Sequence, residues 1–185
     1  RRFEEIGDQR GAAGALVAEG NVHHTEGHFV EAAGLYARAI PPRTEMGDRW
    51  GLANVLDNLS VAEYYLGRWG EALGHARAAL AVRRQLGDRP GCAESSINLG
   101  NLLAVLGDLD GANASYREAE ALAQEIGNRR KLAATWLAQA CVALWSLDHP
   151  RAGELVERVQ ELALEEPALL VRSWVYAALA DAGEP

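Results

Sequence analysis

The stretch Met46-Gly47-Asp48-Arg49-Trp50-Gly51 returns forty residues later as Leu86-Gly87-Asp88-Arg89-Pro90-Gly91. The same offset separates it from Ile6-Gly7-Asp8-Gln9-Arg10-Gly11 upstream, and separates Leu86 from Ile126-Gly127-Asn128-Arg129-Arg130-Lys131 downstream. Glycine after an apolar residue stops a helix, because the position just past the end usually needs a positive φ. Asp or Asn next starts one, since its side chain accepts from the first free N–H groups. Each stretch therefore reads as a joint between two helices. A second punctuation falls midway, at Gly27, Gly67 and Gly107, and then at Leu147. Pro90 and Pro150 stand two residues past Asp88 and Asp148, in a first turn where proline's missing N–H is not needed. Between the joints, Leu56, Leu59, Ala62 and Leu66 follow helical spacing, as do Leu99, Leu102, Leu103 and Leu106. No stretch alternates like a strand.

The spacing predicts a helix A over about 9–26, 49–66, 89–106, 129–146 and 168–182. A helix B follows over about 29–45, 69–86, 109–126 and 149–165. One such hairpin cannot bury its apolar stripe alone, but stacked hairpins bury it against their neighbours. The expectation is an all-α chain, a single array over residues 1–185 with units at about 8–46, 48–86, 88–126 and 128–166 and a partial unit at 167–185. Residues 1–7 read as the end of a preceding helix, which predicts a fragment of something longer. Open array ends would then expose apolar stripes, including Leu169, Leu170, Trp174 and Leu179, and offer a route to self-association.

Composition narrows the function. The 185 residues carry a formal net charge of −8, with 18 Lys+Arg against 26 Asp+Glu. That balance argues against a nucleic-acid binder, which needs a basic face for phosphates. The 49% hydrophobic content is enough for a continuous core. Cys92 and Cys141 lie far apart with no zinc spacing, which suits a reducing, cytoplasmic setting. The longest uncharged stretch, Leu132 to Leu147, is shorter than the ~20 residues of a membrane span. The Ala/Gly/Arg-rich, Lys-poor composition is typical of a GC-rich bacterial genome.

On helix A the units show a large residue, Leu three on, then a small residue. Leu56-x-x-Leu59-Ser60, Ser96-x-x-Leu99-Gly100, Trp136-x-x-Gln139-Ala140 and Tyr176-x-x-Leu179-Ala180 keep or nearly keep this, and Leu16-x-x-Glu19-Gly20 keeps the small residue. On helix B, Ala32, Tyr36 and Ala39 recur as Ala112, Tyr116 and Ala119. Ala72, Ala76 and Ala79 lack the aromatic, and Ala152, Val156 and Val159 match least. This pattern resembles tetratricopeptide repeats over nearly the whole chain. The resemblance implies a right-handed α-solenoid of antiparallel helical hairpins, with Ser60, Gly100 and Ala140 where helices A and B approach closest. The period is forty rather than the usual thirty-four, and Thr44, Arg84 and Gln124 stand where the family has proline. Forty-residue versions resemble sensor arrays of bacterial signalling ATPases and transcriptional regulators, and kinesin light chains.

In such arrays helix A lines a concave groove. The positions not used against helix B are Asn21, His24, Asn54, Asp57, Asn58, Tyr64, Tyr65, Glu94, Asn98, Asn101, Cys141, Trp145, Trp174 and Asp181. Asn is a poor helix former, so five of them on one face ask for a reason. Each amide offers a donor and an acceptor, and the family uses such residues to clamp the backbone of an extended peptide. Tyr64, Tyr65, Trp145 and Trp174 would add apolar contact. With Asp57 and Glu94 on the same face, a neutral or basic segment is the expected partner. The alternative is a sensor or regulatory segment of a larger bacterial signalling ATPase or transcriptional regulator.

Weaker signals point elsewhere. His24 and His28 stand four apart, but Gly27 should end the helix between them, so no metal site is expected. No nucleophile motif, phosphate cradle or metalloprotease helix occurs, so neither enzymatic activity nor a cofactor is expected. Arg83-Arg84 and Arg129-Arg130-Lys131 lie at joints among acidic neighbours and read as solvated faces.

Overall fold

The structure, a computed structural model, describes residues 8–162. Among them are eight helices and no strand: α1 Gln9–Thr25, α2 Phe29–Glu45, α3 Arg49–Tyr65, α4 Trp69–Leu86, α5 Arg89–Val105, α6 Leu109–Glu125, α7 Arg129–Trp145 and α8 His149–Glu161. Consecutive helices pair as antiparallel hairpins, the fold class of an α-solenoid. The helix expected at 168–182 lies outside the described residues. The chain divides into two compact units, Arg1–Asp88 and Arg89–Pro185. The first contains α1 to α4 and the second α5 to α8.

The joints work as their residues require. Asp8, Asp48, Asp108, Asn128 and Asp148 each cap a helix by accepting from the backbone N–H three residues on, at 2.8 to 3.1 Å. The six turn glycines, Gly27 to Gly127, sit at φ between +65° and +84°. Leu147 occupies the equivalent position at φ +57°, where a Cβ crowds the following carbonyl oxygen.

A further contact ties hairpin to hairpin within the first unit. Arg43, near the end of α2, donates to the capping carboxylate of Asp48 at 2.5 Å. The N–H of Gly51, helped by Arg43, holds that carboxyl below its ordinary range against the opposing effect of burial. The chain repeats the contact forty residues on, where Arg83 donates to Asp88 at 2.6 Å.

The cores are rich in alanine. In the first unit Ala32, Ala33, Tyr36 and Ala39 of α2 pack against Val55, Leu59 and Ala62 of α3. In the second, Leu132, Trp136, Leu137 and Ala140 of α7 pack against Leu155, Val156 and Val159 of α8. Small side chains let helices pack closely, and at two glycines a tyrosine ring takes the place of a side chain. A Cβ added at Gly20 would lie 2.6 Å from Tyr36 Cε1. One added at Gly100 would overlap Tyr116 in the same way, 2.7 Å from its Cδ1.

Candidate partner-binding faces of the two units

In the first unit, helices A are α1 and α3. The Oδ1 of Asn21 accepts from the Tyr36 hydroxyl at 2.8 Å and from Asn58 Nδ2 at 3.1 Å. Tyr36 is 1% exposed, and burial pushes its pKa up to about 12. Asn21 therefore satisfies a buried hydroxyl of its own hairpin, and half-buried Asn58 links α3 to α1. Asn101 does for Tyr116 what Asn21 does for Tyr36, again at 2.8 Å. Sequence reasoning read both amides as partner-facing, yet the chain held a signal. The two hairpins with a helix B tyrosine carry Gly20-Asn21 and Gly100-Asn101 sixteen and fifteen residues before it, whereas the other two carry Ser60-Val61 before Ala76 and Ala140-Cys141 before Val156.

Asp57 is not a groove residue. It is 4% exposed and accepts from Arg83 Nε at 2.8 Å. Asn54 accepts from the same guanidinium at 2.7 Å. Burial alone would lower the Arg83 pKa, but Asp57 and Asp88 outweigh it and raise the value above the ordinary one. Arg83 itself is 5% exposed, so the sequence-based view of it as a solvated residue is also corrected. In the second unit Glu94 pairs with Lys131 at 2.9 Å. Both carboxylates expected to make the face acidic are thus matched by a cation.

What remains open on the first unit is aromatic. Tyr65 stacks on Phe29, with centroids 4.4 Å apart and ring planes 11° from parallel. His24 meets both rings edge-on, at 5.3 Å from Phe29 and 6.0 Å from Tyr65, and Tyr64 meets Tyr65 at 5.4 Å. Tyr65 nonetheless stays 58% exposed. Phe29 is the member the sequence reading missed, since it opens helix B. In the second unit Asn98 and Cys141 are half-buried and Trp145 is 55% exposed. Trp174 and Asp181 lie outside the described residues.

The second unit also holds a polar cavity of about 440 Å³ between α6, α7 and α8. Arg117, Glu120, Gln139, Arg151 and Arg158 line it. Gln139 stands where the other helices A place Leu59 and Leu99. It is 7% exposed, and its Oε1 has no hydrogen-bond donor among the described residues. Glu120 accepts from Trp136 Nε1 at 2.8 Å and from Arg158 at 2.9 Å, and Arg158 lies 4.0 Å over the Trp136 ring. Cys92 is buried, and neither described cysteine forms a disulfide.

Residues 51–125 match the tetratricopeptide repeat family model. That stretch, from α3 to α6, is built of tetratricopeptide repeats. No curated protein matches the sequence. Among solved structures, BtubC (BKLC) from P. vanneervenii is similar over 98% of this chain and 76% of its own, with a TM-score of 0.83 and 19% identity. A signal transduction ATPase with numerous domains and a tetratricopeptide repeat sensor, from Pyrococcus horikoshii, is similar over 95% of this chain, with a TM-score of 0.76 and 17% identity. This chain spans 27% of that ATPase's length. A kinesin light chain-type protein from Podosopora anserina with nearly identical TPR-like repeats matches over 91% of this chain and 85% of its own, with a TM-score of 0.74 and 18% identity. At such identities the likeness concerns the fold. Tetratricopeptide repeats act in protein–protein interaction or as sensor domains. No described helix is long and apolar enough to cross a membrane.

Proposed function

We propose that this chain is a non-catalytic binding module that holds a protein or peptide segment on its helix A faces. The observation that carries the reading is the aromatic platform of the first unit, where Tyr65 is stacked on Phe29 yet left 58% exposed. A ring already fixed by its neighbours loses little freedom on binding, and tyrosine is a preferred interface anchor. Asn58 and Asn98 supply amides for a peptide backbone. Since Asp57 and Glu94 are both paired, a neutral segment fits the face better than a strongly basic one. Cys92 and Cys141 form no disulfide, which suits a reducing cytoplasm. Peptides selected on the wild-type protein from a random displayed library test the reading. Asn58→Ala, Tyr65→Ala and Trp145→Ala should each leave the melting curve nearly unchanged, and at least one should weaken the selected peptides by about tenfold or more. Peptides that hold all three variants as tightly as the wild type refute it.

A second reading, a sensor segment of a larger signalling protein, is favoured by the cavity in the second unit. Its size falls within the roughly 300–1,000 Å³ of small-ligand sites. The unmatched Gln139 oxygen asks for a donor, and Arg117 and Arg151 would take a carboxylate. A small effector carrying both groups suits it. Gln139→Leu, the residue of the sister repeats, should abolish such binding and raise stability. The gene around this segment decides the wider claim, since a phosphate-binding loop domain in the same reading frame is what a signalling ATPase requires.

A further inference from the structure

The turn between α1 and α2 gathers three metal-binding side chains. His23, Glu26 and His28 each offer one ligand atom, and the three atoms lie within 4.8 Å of one another. Gly27 does end the helix between the histidines, as the sequence suggests, but its φ of +81° is what folds the chain back. The His28 N–H then donates to the His23 carbonyl at 2.8 Å. That bond sets the side chains of the third-last helical residue and the third residue past the helix end over one another, a place usually filled by an apolar contact. Here it is filled by two imidazoles, with ring centroids 5.7 Å apart. Glu26, between them in sequence, reaches His28 Nδ1 at 3.3 Å and supplies a carboxylate.

The other turns of this type show that the set is particular to this place. They close with the same bond, from Arg68 to Glu63, Asp108 to Leu103 and Asp148 to Ala143, each at 2.9 Å. None brings two imidazoles and a carboxylate together. His23 Nδ1 adds a second observation, being shut off from solvent with no hydrogen-bond partner among the described residues. A buried imidazole nitrogen without a partner costs desolvation that a ligand would recover.

We infer that His23, Glu26 and His28 form a binding site for a divalent first-row transition ion of the zinc class. Two nitrogens and one carboxylate oxygen suit zinc, with the remaining position open to water. A tetrahedral ion with bonds of about 2.0–2.1 Å needs its donors roughly 3.4 Å apart. The set must therefore tighten, and it can, because Glu26 and His28 are exposed and their side chains can rotate. Bound there, the ion would clamp the end of α1 to the start of α2 and stiffen the turn beside the aromatic platform.

The test is calorimetric titration of the tag-free chain with zinc, alongside His23→Ala, Glu26→Gln and His28→Ala. Wild type should take up one equivalent and melt at higher temperature with zinc present. Each variant should bind roughly tenfold more weakly or worse, and His75→Ala should bind as wild type does. Glu26 and His28 are exposed and neither side chain caps a helix, so those two variants remain informative even if His23→Ala unfolds. Absence of zinc uptake by the wild type, or equal uptake by Glu26→Gln and His28→Ala, overturns the inference.

Discussion

Replacing Gly100 by alanine tests the packing rule that spaces these hairpins. The new Cβ would lie 2.7 Å from Cδ1 and 2.9 Å from Cζ of Tyr116, where unstrained carbon pairs sit at about 3.5–4.0 Å. The ring must retreat by about 1 Å, yet Tyr116 is 1% exposed and its hydroxyl is held by Asn101 at 2.8 Å. Overpacking of this kind costs about 1–3 kcal/mol, and losing the hydroxyl bond adds about 1 kcal/mol. Removing a glycine from mid-helix returns about 0.5–1 kcal/mol. Gly100→Ala should thus destabilise by about 1–3 kcal/mol. Tyr116→Val alone should cost about 2–4 kcal/mol, because it opens a cavity and strands the Asn101 amide. The double variant recreates the Ala140–Val156 pair of the next hairpin, and there the new methyl fills part of the space the ring vacated. Its loss should fall short of the sum of the single losses by about 1–3 kcal/mol. Urea unfolding followed by helical circular dichroism reads all four proteins. Strict additivity, or a neutral Gly100→Ala, would show that helix spacing at this point is not set by the glycine–tyrosine contact.

Further expectations follow from the joints and the buried groups. Leu147→Gly should raise stability by about 0.5–1 kcal/mol, since it removes the left-handed strain of an exposed leucine, and a lowered melting temperature would contradict this. Arg83→Met should cost about 3–5 kcal/mol by leaving Asp57 buried without its guanidinium, and adding Asp57→Asn should recover part of the loss in the same urea assay. Tyr36 holds its proton to about pH 12 against an ordinary value of 10.0. Above the ordinary value the unfolded chain releases this proton and the folded chain does not, so stability should fall as pH rises from 10.0 towards 12. Tyrosinate absorbance should show the late-titrating group, and Tyr36→Phe should remove it.

The helices were legible because their punctuation is local. A glycine and the aspartate beside it fix an end and a start without help from distant residues, and the observed bounds of α1 to α7 fall within a residue of those expected. The face of each side chain was less legible. Asp57 reads as accessible from its helical position alone, and only the arrival of Arg83, 26 residues on and from another helix, turns it into a core ion pair. The hydroxyl bonds of Asn21 and Asn101 were hidden for a related reason, because helical spacing gives a direction but not a hydrogen-bond partner. Their companion tyrosines were in plain sight, but reading the link needed the close approach at Gly20 and Gly100. Helical spacing pairs His24 with His28, whereas the turn at Gly27 brings His23 and Glu26 to His28 instead.

The glycine–asparagine–tyrosine set occurs in the first and third hairpins and is absent from the second and fourth, so chemically the motif recurs every eighty residues rather than every forty. Each compact unit opens with a tyrosine-bearing hairpin and follows it with one that lacks the ring. Anyone lengthening or trimming this protein should therefore work in hairpin couples, because a cut through a couple would separate two differently built neighbours of one compact unit.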